Sequence, residues 1–113
     1  MKEEEKEDTY QEFKDVVNMS PSELEEWLDT EESKSVGADS GDGEAVGHKS
    51  GRKIIDIKRT NKDQLTGSQY QHMQKVVGYV NRHLAQKPKS DIEDSKWRYS
   101  LMNWGHDPLK KDR

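Results

Sequence analysis

The residues best placed to do chemistry lie on one stretch of the chain. His72, Lys75, Tyr79, Arg82, His83 and Gln86 recur at helical spacing, falling within about 100° of one another along roughly 21 Å of helix. Cations interleaved with an aromatic ring, imidazoles and an amide suit a nucleic acid. Lys and Arg neutralise backbone phosphate, while Tyr, His and Gln reach base edges. Arg52, Lys53, Lys58, Arg59 and Lys62, just upstream, extend the surface. Leaving His72 aside, these are the expected nucleic-acid-binding residues. The competing account is a solvated helix face, which every amphipathic helix possesses.

Metal and catalytic chemistry find less support. None of His48, His72, His83 and His106 stands four residues from another, and there is no cysteine, so neither a helical His pair nor a thiolate site can be assembled. We expect no metal, no cofactor and no enzymatic activity; a hydrolase would rest only on His48, Arg52 and His106 converging. Asp39, Asp42 and Glu44 resemble a calcium loop in composition, without the alternating ligands or the distal Glu of one. Gly47 to Lys53 fails the spacing of a phosphate loop, although a Gly-rich turn leading into a helix can hold an anion at Ser50 to Arg52 through backbone N–H groups.

These side chains need helices to position them. The long segment Gly67 to Gln86, capped by Thr66 or Ser68, gathers Tyr70, Met73, Val76, Val77, Val80 and Leu84 on one apolar face. Ser20-Pro21-Ser22-Glu23 signals a helix start: a capping hydroxyl, a proline suited to the first turn, and a glutamate to complete a capping box. Leu24, Trp27 and Leu28 form that helix's apolar side. Tyr10, Phe13, Val16 and Val17 predict a short helix over 9–18. Ile54, Ile55 and Ile57 predict another over 52–62, with a strand as the alternative. A last helix over 91–103, with Gly105 as its C-cap, carries Trp97, Leu101 and Trp104 and wants contacts on both faces. Trp97, Trp104, Leu101, Val77, Val80, Leu84, Leu24 and Trp27 are expected to form one core. Residues 30–50, rich in Gly, Ser and Asp, predict a long loop, and 1–8 a disordered acidic tail.

Composition bounds the whole. The chain has 113 residues, 28% hydrophobic and 37% charged, enough for one small domain over 9–110. Residues 1–46 carry 16 acids against Lys2, Lys6, Lys14 and Lys34, and residues 47–113 carry 15 bases against 7 acids. The overall charge of -4 therefore hides a basic part tethered to an acidic one, and the two should attract at low salt. No apolar run is long enough for a membrane span, and the acidic start is unlike a signal peptide. We expect a cytoplasmic protein with no membrane partner and leave its oligomeric state open.

Several stretches carry a resemblance: Ser35-Val36-Gly37, Val46 to Arg52, Met73 to Gln86, and Trp97 to Pro108. Together they resemble a family of small microbial proteins catalogued as a domain of unknown function and often labelled DNA-binding protein, over about residues 10–110. Lys49 stands where similar proteins lead one to expect an acid, making this stretch more basic. The resemblance implies DNA binding. The expectation is thus an all-α bundle of four to five helices binding nucleic acid, DNA in preference to RNA, through phosphates. The alternative is a protein-interaction or stress-protective module whose acidic N-terminal half takes a basic protein partner.

Overall fold

The structure, a computed structural model, describes residues 2–36 and 46–110. It is all-α: α1 (Glu3–Val16), α2 (Pro21–Leu28), α3 (Glu31–Lys34), α4 (Val46–Lys58), α5 (Gly67–Leu84) and α6 (Lys96–Asn103), with a 3-10 turn at Lys62–Gln64. Among the described residues there is no strand, so Ile54 to Ile57 lie on a helix. No described helix is long and apolar enough to cross a membrane.

Local chemistry explains most of the boundaries. At α2 the Ser20 hydroxyl accepts from Glu23 N–H while the Glu23 carboxylate accepts from Ser20 N–H, and Thr66 with Gln69 repeats the device at α5. Helix α6 begins at Lys96, five residues later than expected, because Ser95 caps it while Asp91 adopts a left-handed φ of 53°. It ends as expected at Gly105, whose φ of 82° lets Gly105 N–H reach the Met102 carbonyl and His106 N–H the Leu101 carbonyl, a Schellman stop.

Two expectations are corrected. Helix α1 starts at Glu3, so residues 3–8 are helical rather than a disordered tail. Glu3, Glu4 and Glu5 occupy the first turn, where the helix dipole favours acids; Lys6 lies over the Tyr70 ring and Glu7 pairs with Lys62. The loop expected over 30–50 is helical at both flanks, in α3 and in α4 from Val46; residues 37–45 lie outside the described residues. Gly51 explains α4. A Cβ there would come within 2.8 Å of the Asn103 carbonyl oxygen and of a Leu28 methyl, so only glycine lets α4 pack this closely on α2 and α6. That approach offsets the roughly 1 kcal/mol a glycine costs a helix.

The core joins α1 to α5 and α2 to α4, with α6 touching α2, α3, α4 and α5, the wedged position its two apolar faces implied. Leu24, Val77, Val80, Leu101 and Trp104 are buried as expected, while Trp27, Leu84 and Trp97 are half-buried against them. Phe13, Val17, Met19, Leu28, Val36, Ile54, Ile55, Ile57, Tyr70, Met73 and Val76 are buried with them. Because Val80 is 0% exposed and Leu84 retains solvent contact, Val80→Ala should cost about 2–3 kcal/mol in urea denaturation and Leu84→Ala about 1 kcal/mol. An equal or larger loss at Leu84 would contradict this packing.

A single buried polar side chain ties three helices together. The Asn103 amide oxygen accepts from the Trp27 indole N–H at 2.7 Å and the Ser33 hydroxyl at 2.5 Å, and its NH2 donates to the Ser33 carbonyl at 3.1 Å. Elsewhere, Asn18 and Asp107 exchange hydrogen bonds, His106 Nδ1 donates to the Val16 carbonyl, and Lys110 reaches Asn18 O and the Glu23 carboxylate. Arg98 holds Asp107 through two bonds of 3.1 Å.

Candidate nucleic-acid interface

The expected binding residues do not form one surface; the fold divides them. Arg59 is paired to Glu25 at 3.1 Å, and Lys62 to Glu7 at 2.5 Å while lying 4.8 Å from the Tyr10 ring centroid. The Lys62 contact holds the Glu7 carboxyl below its ordinary value. Lys58 donates to the Met19 carbonyl, and desolvation lowers its pKa. The acids of α1 and α2 thus occupy cations beyond the C-terminal end of α4, the attraction between halves that the charge distribution implied.

Tyr79 and His83 turn inwards. They belong to a run of near-parallel rings: Trp97 on His83, His83 on Tyr79, Tyr79 on Trp104 at 4.2 Å, and Trp104 on His72. Burial raises the Tyr79 phenol above its ordinary value and lowers His83. Trp97 on α6 and Trp104 at its C-terminal cap cover that flank of α5, leaving both side chains half-buried. Arg82 and Gln86 remain exposed, with the Arg82 guanidinium beside Gly78. Arg52 is exposed and lines a cleft between α2 and α4 with Glu25, Asp29 and His48.

Lys53 and Lys75 are different. Both are exposed, neither has an ion-pair partner among the described residues, and they meet across a groove between α4 and α5. Asp56, Ser68, Gln71 and His72 line it with them, enclosing about 360 Å³. The His72 ring shares a hydrogen bond of 2.9 Å with the Ser50 hydroxyl. Burial, then the charges of Lys53 and Lys75, hold its pKa down to about 4, so the ring is neutral at pH 7. Ser50 itself lies inside α4, so Ser50 to Arg52 offer no free turn of backbone N–H groups to an anion. Sequence reasoning missed Asp56, Ser68 and Gln71. The signal was present, since Ser68, Gln71, His72 and Lys75 repeat at helical spacing on the flank of the apolar face.

Among the described residues no three metal-binding side chains come together. His48 Nε2 donates to the Leu28 carbonyl and His106 Nδ1 to the Val16 carbonyl, each ring serving a different junction of the fold.

No curated protein and no solved structure matches the chain. A family model described as a protein of unknown function, DUF3140, matches residues 12–102, running from the middle of α1 almost to the end of α6. The chain belongs to the DUF3140 family.

Proposed function

We propose that this protein is a non-enzymatic nucleic-acid-binding module that holds backbone phosphates along the edge between α4 and α5, with DNA as the first ligand to test. One observation carries the reading: Lys53 and Lys75 face a common groove with their charges unspent. Arg82 continues the line two turns along α5, about 10 Å from Lys75. These three replace the longer set expected from sequence, because Arg59 and Lys62 already have carboxylate partners.

The expected result is a steep salt dependence. With about three phosphate contacts, log affinity should fall against log salt with a slope near -2 to -3 for duplex and slightly less for single strands. Lys53→Ala and Lys75→Ala should each flatten that slope by about one. Arg59→Ala should change it far less. Binding that is undetectable or salt-independent at about 50 mM salt would overturn the reading.

A second reading has its own support. Glu7, Glu23 and Glu25, all on α1 or α2, already hold the cations Lys62, Lys110 and Arg59, as an acidic docking surface for a basic protein partner would. Glu7→Gln with Glu25→Gln separates the two. Under the first reading the released Lys62 and Arg59 tighten oligonucleotide binding; under the second the pair weakens association with a basic peptide and leaves the oligonucleotide untouched.

A further inference from the structure

We infer that the α4–α5 groove takes an unpaired base together with its phosphate, so that the ligand is a single strand, and that it favours bases bearing an exocyclic amino group. This rests on the nucleic-acid reading above and goes beyond it in naming which form is bound and what is read.

Shape is the first argument. The groove is concave, with about 360 Å³ between two helices, whereas a duplex presents a convex surface with its bases stacked inside. A base can enter only if it is unstacked, which a single strand permits at little cost. Charge is the second. A surface built for phosphate alone gains nothing from a carboxylate, yet Asp56 lines the same groove as Lys53 and Lys75. An ionised carboxylate only accepts hydrogen bonds, so its complement is an N–H donor, such as the amino group that cytosine presents and thymine lacks. The third is unspent capacity. The side chains of Asp56, Ser68 and Gln71 have no partner among the described residues, although all three stand in the groove. Lysines on both walls hold the phosphate, and the carboxylate and amide beside them hold the base.

Fluorescence anisotropy tests this with three labelled twelve-nucleotide probes at pH 7.5 and about 50 mM salt: oligodeoxycytidylate, oligodeoxythymidylate and a mixed-sequence duplex. The single strands should bind about tenfold more tightly than the duplex, and the cytidylate about fivefold more tightly than the thymidylate. Asp56→Asn should level the two single strands and keep the salt slope, since Asp56 is exposed and its loss leaves the core intact. Lys53→Ala should weaken all probes together. Equal affinity for single strand and duplex, or indifference between the two single strands in the unaltered protein, would overturn the inference. In that event a steep salt slope with the duplex leaves the wider reading standing, whereas no binding to any probe removes both.

Discussion

Replacing Asn103 by leucine is expected to remove about 3–5 kcal/mol of stability, a large share of the 5–15 kcal/mol typical of a small domain. Leucine has the same branched outline and is larger, so no cavity accounts for the loss, and any crowding adds to it. What it cannot do is accept from the Trp27 indole and the Ser33 hydroxyl or donate to the Ser33 carbonyl. Ser33 is 0% exposed, so its two orphaned groups have no water to turn to, and each unsatisfied buried group costs about 1–3 kcal/mol. Trp27 keeps partial access to solvent and contributes the least. Urea denaturation of Asn103→Leu, Ser33→Ala and the double variant measures this directly, because removing the Ser33 hydroxyl as well should recover part of the loss as a coupling energy. A loss below about 1 kcal/mol would show that these bonds do not hold α2, α3 and α6 together.

The second large effect is acid sensitivity. The unfolded chain protonates histidine near pH 6.5, but folded His72 resists until about pH 4, because the ring is partly stripped of water and faces Lys53 and Lys75. Protons therefore favour the unfolded state throughout that interval. Stability is full above pH 6.5, declines as pH falls from 6.5 to 4, and loses nothing more to this residue below 4. Allowing for solvent at the exposed edge of the ring, the loss is about 1–2 kcal/mol. His83 adds in the same direction, its pKa also lowered by burial. Asp107 and Glu23, whose carboxyls are held low, act in a separate window: their contribution is present above the ordinary carboxylate range and is lost as pH falls below it. Urea midpoints at pH 8, 6, 5 and 4.5 should decline in the unaltered protein and decline less in His72→Gln. Parallel curves would contradict the assignment to His72.

Much of the fold was legible because it is written in local rules. The Ser20 and Thr66 capping boxes, the periodic face of α5 and the Gly105 stop each involve residues within a turn or two of each other. What escaped is what only tertiary contact decides. Residues 3–8 contain no apolar residue, so periodicity is blind to a helix sustained by first-turn acids and by the contacts of Lys6 and Glu7 with partners about sixty residues away. Gly47 and Gly51 read as loop on propensity, yet Gly51 faces Leu28 and the Asn103 backbone. The interface divides the same way. A helical wheel shows Tyr79 and His83 on the polar flank of α5, but not that Trp104 and Trp97 lie over them. Nor does it show that α1 and α2 deliver carboxylates to Lys62 and Arg59. Lys53 and Lys75 remained where the sequence put them, because no carboxylate among the described residues pairs with them, although Asp56 lines the same groove.

The bonds between Asn18 and Asp107 join residues 89 positions apart, with His106 and Lys110 reinforcing the junction. A contact of that span is reached only after the intervening chain has been gathered, since closing a loop costs entropy that grows with its length. The bonds of Asn103 to Trp27 and Ser33 close a loop of the same order, 76 and 70 positions long, nested inside the first. Once that inner loop is closed, the outer one needs little further ordering, so Asn18, His106 and Lys110 fasten a closure that the Asn103 bonds have largely made. The two sets of bonds work like two buttons on one strap: the inner set brings the segment before α2 up to the segment after α6, and the outer set fastens them there.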